Sequence, residues 1–257
     1  MTDSESKRYM RYLLTLLLLI ISNIPLPASL TMADSLYTIQ NYNEAIVEYE
    51  RQLSEGVNDD IYYNIGNCYF RLNEYPHAIL NYHKALKINP QHSNAKDNLQ
   101  ISLDKVGIYE HANNEMFYTT WFKTLVSGKS ANEWGHLAFI CWAVFLLVGV
   151  AYLLTHTPKI KKITFFTAFP FLIFALILNI FAYNSKQDFY NTLHLVVMKS
   201  TPLYESATTA SKQIGEATPG MLLKLNNTLE DQWYNVSTSD GRQAWCENIN
   251  VEKVAFN

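Results

Sequence analysis

Two runs without a single charged side chain, Leu137–Leu154 and Ile163–Tyr183, constrain this chain more than any other feature. At about 1.5 Å of rise per residue, helices of these lengths span roughly 27 and 31 Å, enough to cross a hydrocarbon core of about 30 Å. Lying only eight residues apart, they read as a transmembrane hairpin rather than as buried helices of a soluble core. The second run contains Pro170, which predicts a kink, and Asn179, which predicts a polar contact toward the first helix rather than toward lipid. The connection 155–162 carries Lys159, Lys161 and Lys162 and no acid. A short lysine-rich loop stays on the cytoplasmic side, so both polar flanks are expected on the opposite face.

The N-terminus supports the same orientation. The apolar stretch Leu13–Ile21 has nine residues, about 14 Å of helix and too short to span. Lys7, Arg8 and Arg11 precede it, and Pro25 and Pro27 follow. That order is the pattern of a secretory signal over residues 1–28, with cleavage after Ala28 or after Ala33. Between signal and hairpin, residues 29–111 carry six basic and eleven acidic side chains, and the whole chain has a formal net charge of -3. Neither favours nucleic acid as a partner. Residues 112–136, with Phe117, Tyr118, Trp121, Phe122, Leu125, Val126 and Trp134, show a helical apolar face. It reads either as an interfacial helix along the lipid headgroups or as a packed linker helix.

The acidic N-terminal stretch has its own period. In residues 59–92, Tyr62, Ile65 and Tyr69 share one helical face, small Gly66, Ala78 and Ala85 sit where two antiparallel helices cross, Tyr82 fills between them, and Pro90 closes the unit. This is the spacing of the tetratricopeptide repeat. Tyr42, Ala45 and Tyr49 precede Tyr75, Ala78 and Tyr82 by 33 residues, a weaker first repeat with Ala33 in place of the glycine. Asn98-Leu99 follows Asn64-Ile65 by 34 residues, so residues 93–105 read as a capping helix without its partner. An array this small lies at the lower edge of solenoid stability and leans on a neighbour. Its expected partner-binding groove carries Tyr63, Asn67, Phe70 and Arg71, followed by Asp97, Ile101 and Asp104. Such a mixed surface suits an extended peptide or a partner helix.

Beyond the hairpin the period changes to two. Leu193–Met198, Met221–Leu225 and Trp233–Ser237 are short β-type runs, punctuated by Pro202, Pro219-Gly220, Asn226-Asn227 and the hairpin signal Asp240-Gly241. Five to six such strands predict a small barrel. The order of strands and the Asp240-Gly241-Arg242 turn between Trp233 and Trp245 resemble the bacterial SH3-like domain, with Ala244 where that family usually has glycine. That resemblance implies a protein- or cell-wall-peptide-binding module over residues 190–257. Trp233 and Trp245 either line its site or fill its core.

Catalytic chemistry is missing from these motifs. Gly128-Lys129-Ser130 lacks the earlier glycine of a phosphate-binding loop, since Lys123 stands there. Cys68, Cys141 and Cys246 are far apart and odd in number, neither a metal set nor a disulfide framework. His77 and His83 point to different faces of one helix, and Cys246 with His194 lacks the length of chain that a peptidase domain needs. No catalytic residue, cofactor or metal ligand is expected.

Signal, two-repeat tetratricopeptide unit, hairpin and SH3-like module, in that order, resemble the BatE proteins of the Bacteroides aerotolerance operon. The resemblance implies a bacterial inner-membrane protein working beside other Bat proteins in stress or oxygen tolerance. The expectation is therefore a multidomain membrane protein: signal 1–28, all-α tetratricopeptide helical repeats 29–111, linker 112–136, transmembrane helices 137–154 and 163–183 joined by the cytoplasmic loop 155–162, and a small all-β SH3-like barrel 190–257. Its expected role is a non-catalytic scaffold in the lipid bilayer with both domains periplasmic. The alternative is a cell-envelope sensor or peptidoglycan-binding protein.

Overall fold

The structure is a computed structural model that describes residues 31–108, 122, 125–126, 128–155, 157–191, 193–230 and 232–256. The expected signal 1–28 lies outside the described residues, as do Phe117, Tyr118 and Trp121 of the expected linker helix.

Among the described residues, five helices come first. They are α1 (Met32–Thr38), α2 (Tyr42–Leu53), α3 (Asp59–Arg71), α4 (Tyr75–Ile88) and α5 (Ser93–Lys105). Most starts have a local cause. Thr31 and Asp34 form a reciprocal capping box at α1, Asn58 accepts from the Ile61 amide at α3, and Pro76 sits in the first turn of α4. Two turns between paired helices use a left-handed residue 33 positions apart, Gln40 at φ 64° and Asn73 at φ 61°. The repeat is thus visible in the backbone as well as in the core. Ala33, Ala45, Ile65, Cys68, Ala78, Tyr82, Ala85 and Ala95 are buried in one cluster. At the crossing of α3 and α4, a Cβ placed on Gly66 would stand 2.6 Å from Tyr82 Cε1. Only glycine lets the two backbones approach around that ring.

Two long helices follow, α6 (Ala131–Leu154) and α7 (Pro158–Asn191), packed side by side. Both are long and apolar enough to cross a membrane, and only 6% of each apolar window is buried. A core helix of a soluble protein would be mostly buried. A Ser130–Glu133 capping box starts α6 six residues ahead of the apolar run, so Trp134 belongs to this helix. Its Nε1 donates to the Val126 carbonyl at 2.9 Å, and Phe181 of α7 meets its ring edge-on at 5.2 Å. At the other end, Pro158 at the start of α7 shortens the connection to residues 155–157, and Lys159, Lys161 and Lys162 lie on the first turns of α7 rather than in a loop. Helix α7 continues through Pro170. Asn179 is exposed and does not turn to α6: its Nδ2 donates to the Ala175 carbonyl of its own helix at 2.7 Å. A carbonyl one turn back satisfies the amide locally, so no interhelical partner is needed.

The C-terminal region forms seven antiparallel strands: β1 (Leu193–Val197), β2 (Thr201–Tyr204), β3 (Gln213–Ala217), β4 (Leu222–Leu229), β5 (Trp233–Ser237), β6 (Gln243–Glu247) and β7 (Val251–Lys253). Their order in one sheet is β3-β2-β6-β5-β4-β1-β7. The ladder leaves β3 and β7 as edges, so no hydrogen-bonded barrel is closed. Gly241, at φ 83°, makes the β5–β6 turn. Alternation then sorts the side chains. Leu195, Val197, Leu203, Leu223, Tyr234, Val236, Ala244 and Cys246 form the core of the inner face.

The outer face of the sheet is used at one end. Val196 and Val254 are buried in one cluster with Ile79 and Leu80 of α4 and Leu103 of α5, and Met198, Leu222, Val106 and Ile108 pack around it. Lys87 Nζ donates to the Val254 carbonyl at 3.2 Å, and the Phe256 ring lies 5.6 Å from that of Tyr62. Gly220, at φ 89°, lies so close that a Cβ there would stand 2.8 Å from Ile79 Cδ1. The sheet therefore packs on α4 and the end of α5 and supplies a neighbour of the kind that so short an array needs.

Candidate functional site

The repeat surface is built on α1, α3 and α5, the first helices of successive helix pairs. From α3, the groove residues Tyr63, Asn67, Phe70 and Arg71 recur at helical spacing, and the structure divides them into two local groups. Asn67 Oδ1 accepts from Tyr82 Oη at 2.9 Å and from Asn98 Nδ2 at 2.8 Å. Asn98 Nδ2 also reaches Tyr63 Oη at 3.4 Å, and the Tyr63 ring lies 4.8 Å from that of His92. Burial drives the Tyr82 phenol well above the ordinary tyrosine range, so it stays a neutral donor. Tyr63 and Asn67 are thus half-buried and knit α3 to α4 and α5.

On the other side of α3, Arg71 Nε donates to Tyr37 Oη of α1 at 3.4 Å, and Tyr37 meets Tyr42 edge-on at 5.3 Å. Phe70 meets Tyr75 edge-on at 5.5 Å. Arg71 is exposed, as are Asp97, Ile101 and Asp104 along α5. The side chains open to a partner are therefore Arg71 and the α5 row, while Tyr63 and Asn67 set their spacing from below. Sequence spacing alone did not single out Tyr37, His92 or Asn98 for these roles. Asn98 carried a signal in its 34-residue offset from Asn64; the tilted ring contact of His92 with Tyr63 carried none.

One cluster has the composition of a metal site. Asp59, Asp60 and His92 bring one ligand atom each within 4.8 Å of one another. The donor set does not fit. His92 Nδ1 accepts from the Ala95 amide at 3.2 Å as the cap of α5, so the ring proton sits on Nε2. That nitrogen faces Asp60 Oδ1 at 3.3 Å with no aligned hydrogen bond and has no lone pair for a cation. Asp59 is held by Asn89 Nδ2 at 2.7 Å. The cluster fastens the loop before α5 to the positive end of α3.

The cysteines also have structural settings. Burial pushes the thiols of Cys68 and Cys246 up to about 12, so neither is a thiolate near neutral pH.

In the sheet, Trp233 and Trp245 alternate with buried Tyr234, Val236, Ala244 and Cys246, so both indoles lie on the outer face and are half-buried rather than in the core. Tyr204 joins them, paired with Trp245 across the β2–β6 ladder and meeting the Trp233 ring edge-on at 5.7 Å. Sequence reasoning missed Tyr204, because β2 is only four residues long and its pairing with β6 skips over three other strands.

Residues 60–92 match the family model of the tetratricopeptide repeat. Helices α3 and α4 therefore carry tetratricopeptide-repeat content. No curated protein matches the chain. The matched span is α3, α4 and the turn after them, the unit that carries Tyr63, Asn67, Phe70 and Arg71, and this repeat is a protein-interaction fold.

Proposed function

We propose that the chain is a non-catalytic scaffold of the bacterial inner membrane whose repeat groove and C-terminal sheet hold protein partners on the periplasmic side. One observation carries this reading most directly. The sheet packs on α4 and the end of α5, whereas Arg71, Asp97, Ile101 and Asp104 on the first-helix side stay exposed. A tetratricopeptide array covered on its outer helices and open on its inner ones retains the surface that takes an extended peptide or helix.

Helices α6 and α7 serve in this reading as the anchor, with Lys159, Lys161 and Lys162 on the cytoplasmic side. A leader removed after Ala28 leaves Thr31 in place, whereas removal after Ala33 would discard the hydroxyl that caps α1. The C-terminal sheet is proposed as an SH3-like module, supported by its antiparallel strands and the Asp240-Gly241-Arg242 turn, although its ladder stays open between β3 and β7. The order of parts supports membership of a Bat-type complex with a role in stress or oxygen tolerance. The direct test is co-purification from detergent-solubilised membranes: R71E/I101D double substitution should release a membrane-protein partner that the unsubstituted chain retains. Retention of that partner by the variant would remove the groove from the account.

A second reading, a cell-envelope sensor that binds peptidoglycan, is favoured by the outward Trp233 and Trp245. The full chain in detergent would then sediment with purified wall sacculi, and W245L would reduce the bound fraction several-fold. Equal sedimentation of both proteins would discard it.

A further inference from the structure

The outer face of the sheet is divided. At the β1–β7 end it is buried against α4 and α5 through Val196, Leu222 and Val254. At the other end, on β2, β6 and β5, it presents Tyr204, Trp245 and Trp233 in adjoining ladder positions. Three rings in a row, with Leu229 opposite Trp233 in the β4–β5 ladder, are not what an idle sheet surface carries. An exposed antiparallel face ordinarily alternates buried apolar with outward polar side chains.

Glu247 completes the group. It stands directly opposite Trp233 in the β5–β6 ladder and two residues beyond Trp245, so its carboxylate rises from the same face as both indoles. It is half-buried, and among the described residues it forms no ion pair. The surrounding strands offer it none: β2, β3, β5 and β6 contain no lysine or arginine, while Glu216 adds a second acid on β3. Arg242, at the hairpin tip, is engaged by Asp240 at 2.6 Å. Beyond these strands, Lys212 precedes β3 and Lys224 stands on β4, opposite Ser237.

Aromatic faces carry negative quadrupole potential, and a partly desolvated carboxylate among them adds a full charge. Both select a cation. We propose that Tyr204, Trp233, Trp245 and Glu247 form a binding site for a cationic side chain, arginine or lysine, presented by a segment of a partner protein. Charge complementarity commits the site to that occupant: the charged side chain among these four is the Glu247 carboxylate, and Glu216 adds a second acid on β3. Asn226 and Asn235, joined at 3.0 Å beside Ser237, border the rings and offer amide groups to the backbone of such a segment. The site lies on the sheet and not on the repeats, so it stands or falls independently of the groove.

The test uses the full chain in detergent micelles, labelled with 5-fluorotryptophan at its five tryptophans. The fluorine signals of Trp233 and Trp245 are assigned by W233F and W245F. The probe is Nα-acetyl-arginine amide, with the neutral Nα-acetyl-citrulline amide and chitotetraose as controls. The site predicts saturable shifts of the Trp233 and Trp245 signals alone, at millimolar arginine derivative, with citrulline at least fivefold weaker. E247Q, a mild surface change, should lower the affinity about five- to tenfold while the spectrum stays folded. Equal response to citrulline, unchanged affinity in E247Q, or no saturable shift would each overturn the proposal. A response to chitotetraose in place of the arginine derivative would overturn it in favour of a saccharide platform.

Discussion

At the scale of single residues, the two repeats differ in how well their turns are chosen. Asn73 and Gln40 hold equivalent left-handed positions, at φ 61° and φ 64°. Asparagine tolerates that region because its short amide bonds to nearby backbone, whereas glutamine does so only at a cost. Q40G should therefore raise stability by about 0.5–1 kcal/mol, seen as a higher melting temperature of the purified chain. Gly66 gives the opposite case. G66A places its Cβ 2.6 Å from Tyr82 Cε1, and forcing that ring aside should cost about 1–3 kcal/mol. An unchanged melting temperature for G66A would mean that the ring moves freely. Gly66, Ala78, Tyr82 and Ala85 were legible from spacing alone, because helix crossings demand small residues at fixed intervals. The hydroxyl network beneath the groove was not, since Tyr82, Asn67 and Asn98 come together from three helices and any of them reads alone as an ordinary polar position.

At the scale of elements, the decisive contact lies between α4 and β1. His83 on α4 is held down to about 4 by burial first and by the neighbouring His194 of β1 second. A histidine whose pKa falls on folding from 6.5 contributes stability that is complete above that value. The contribution drains away as pH drops from about 6.5 toward 4, by about 3 kcal/mol in all. Hydrogen exchange in α4, α5 and β1 should accelerate over that window, and H83L should flatten the dependence. Val196 sits in the same contact, fully buried among Ile79, Leu80, Leu103 and Val254. V196D would bury an unpaired charge and should uncouple sheet from repeats, exposing α5 to limited proteolysis while the β2–β6 ladder stays protected. Strand and helix periods announced both kinds of element in the sequence. Their docking was silent there, because His83 lies on one side of the hairpin and Val196 and Val254 on the other, more than a hundred residues away, and a single sequence carries no record of which distant faces meet.

At the scale of the whole molecule, the hairpin separates the repeats from the sheet in sequence, and the fold brings them back together. Gln91 beside α5 donates to the Gly128 carbonyl ahead of α6 at 2.7 Å, and Ser185 of α7 reaches the Lys129 carbonyl at 3.2 Å. Repeats and sheet thus meet at one end of the hairpin, as they must if both lie on one side of a membrane. In spheroplasts, a cysteine at Ser239 should react with an impermeant maleimide and one at Lys161 should not; the reverse pattern would invert the proposed topology. The apolar runs were legible because a bilayer sets a length that few other contexts require, whereas the short link at residues 155–157 depended on Pro158 starting α7 early. The account's central claim is that the first-helix face of the repeats holds a partner. It is tested most directly by in-cell photo-crosslinking from Ile101, which is 46% exposed on α5, against Val47, which is 66% exposed on α2. The account predicts one discrete membrane-protein adduct from Ile101 and none from Val47. Adducts from Val47 alone, or none from either with the protein stably present, would contradict it.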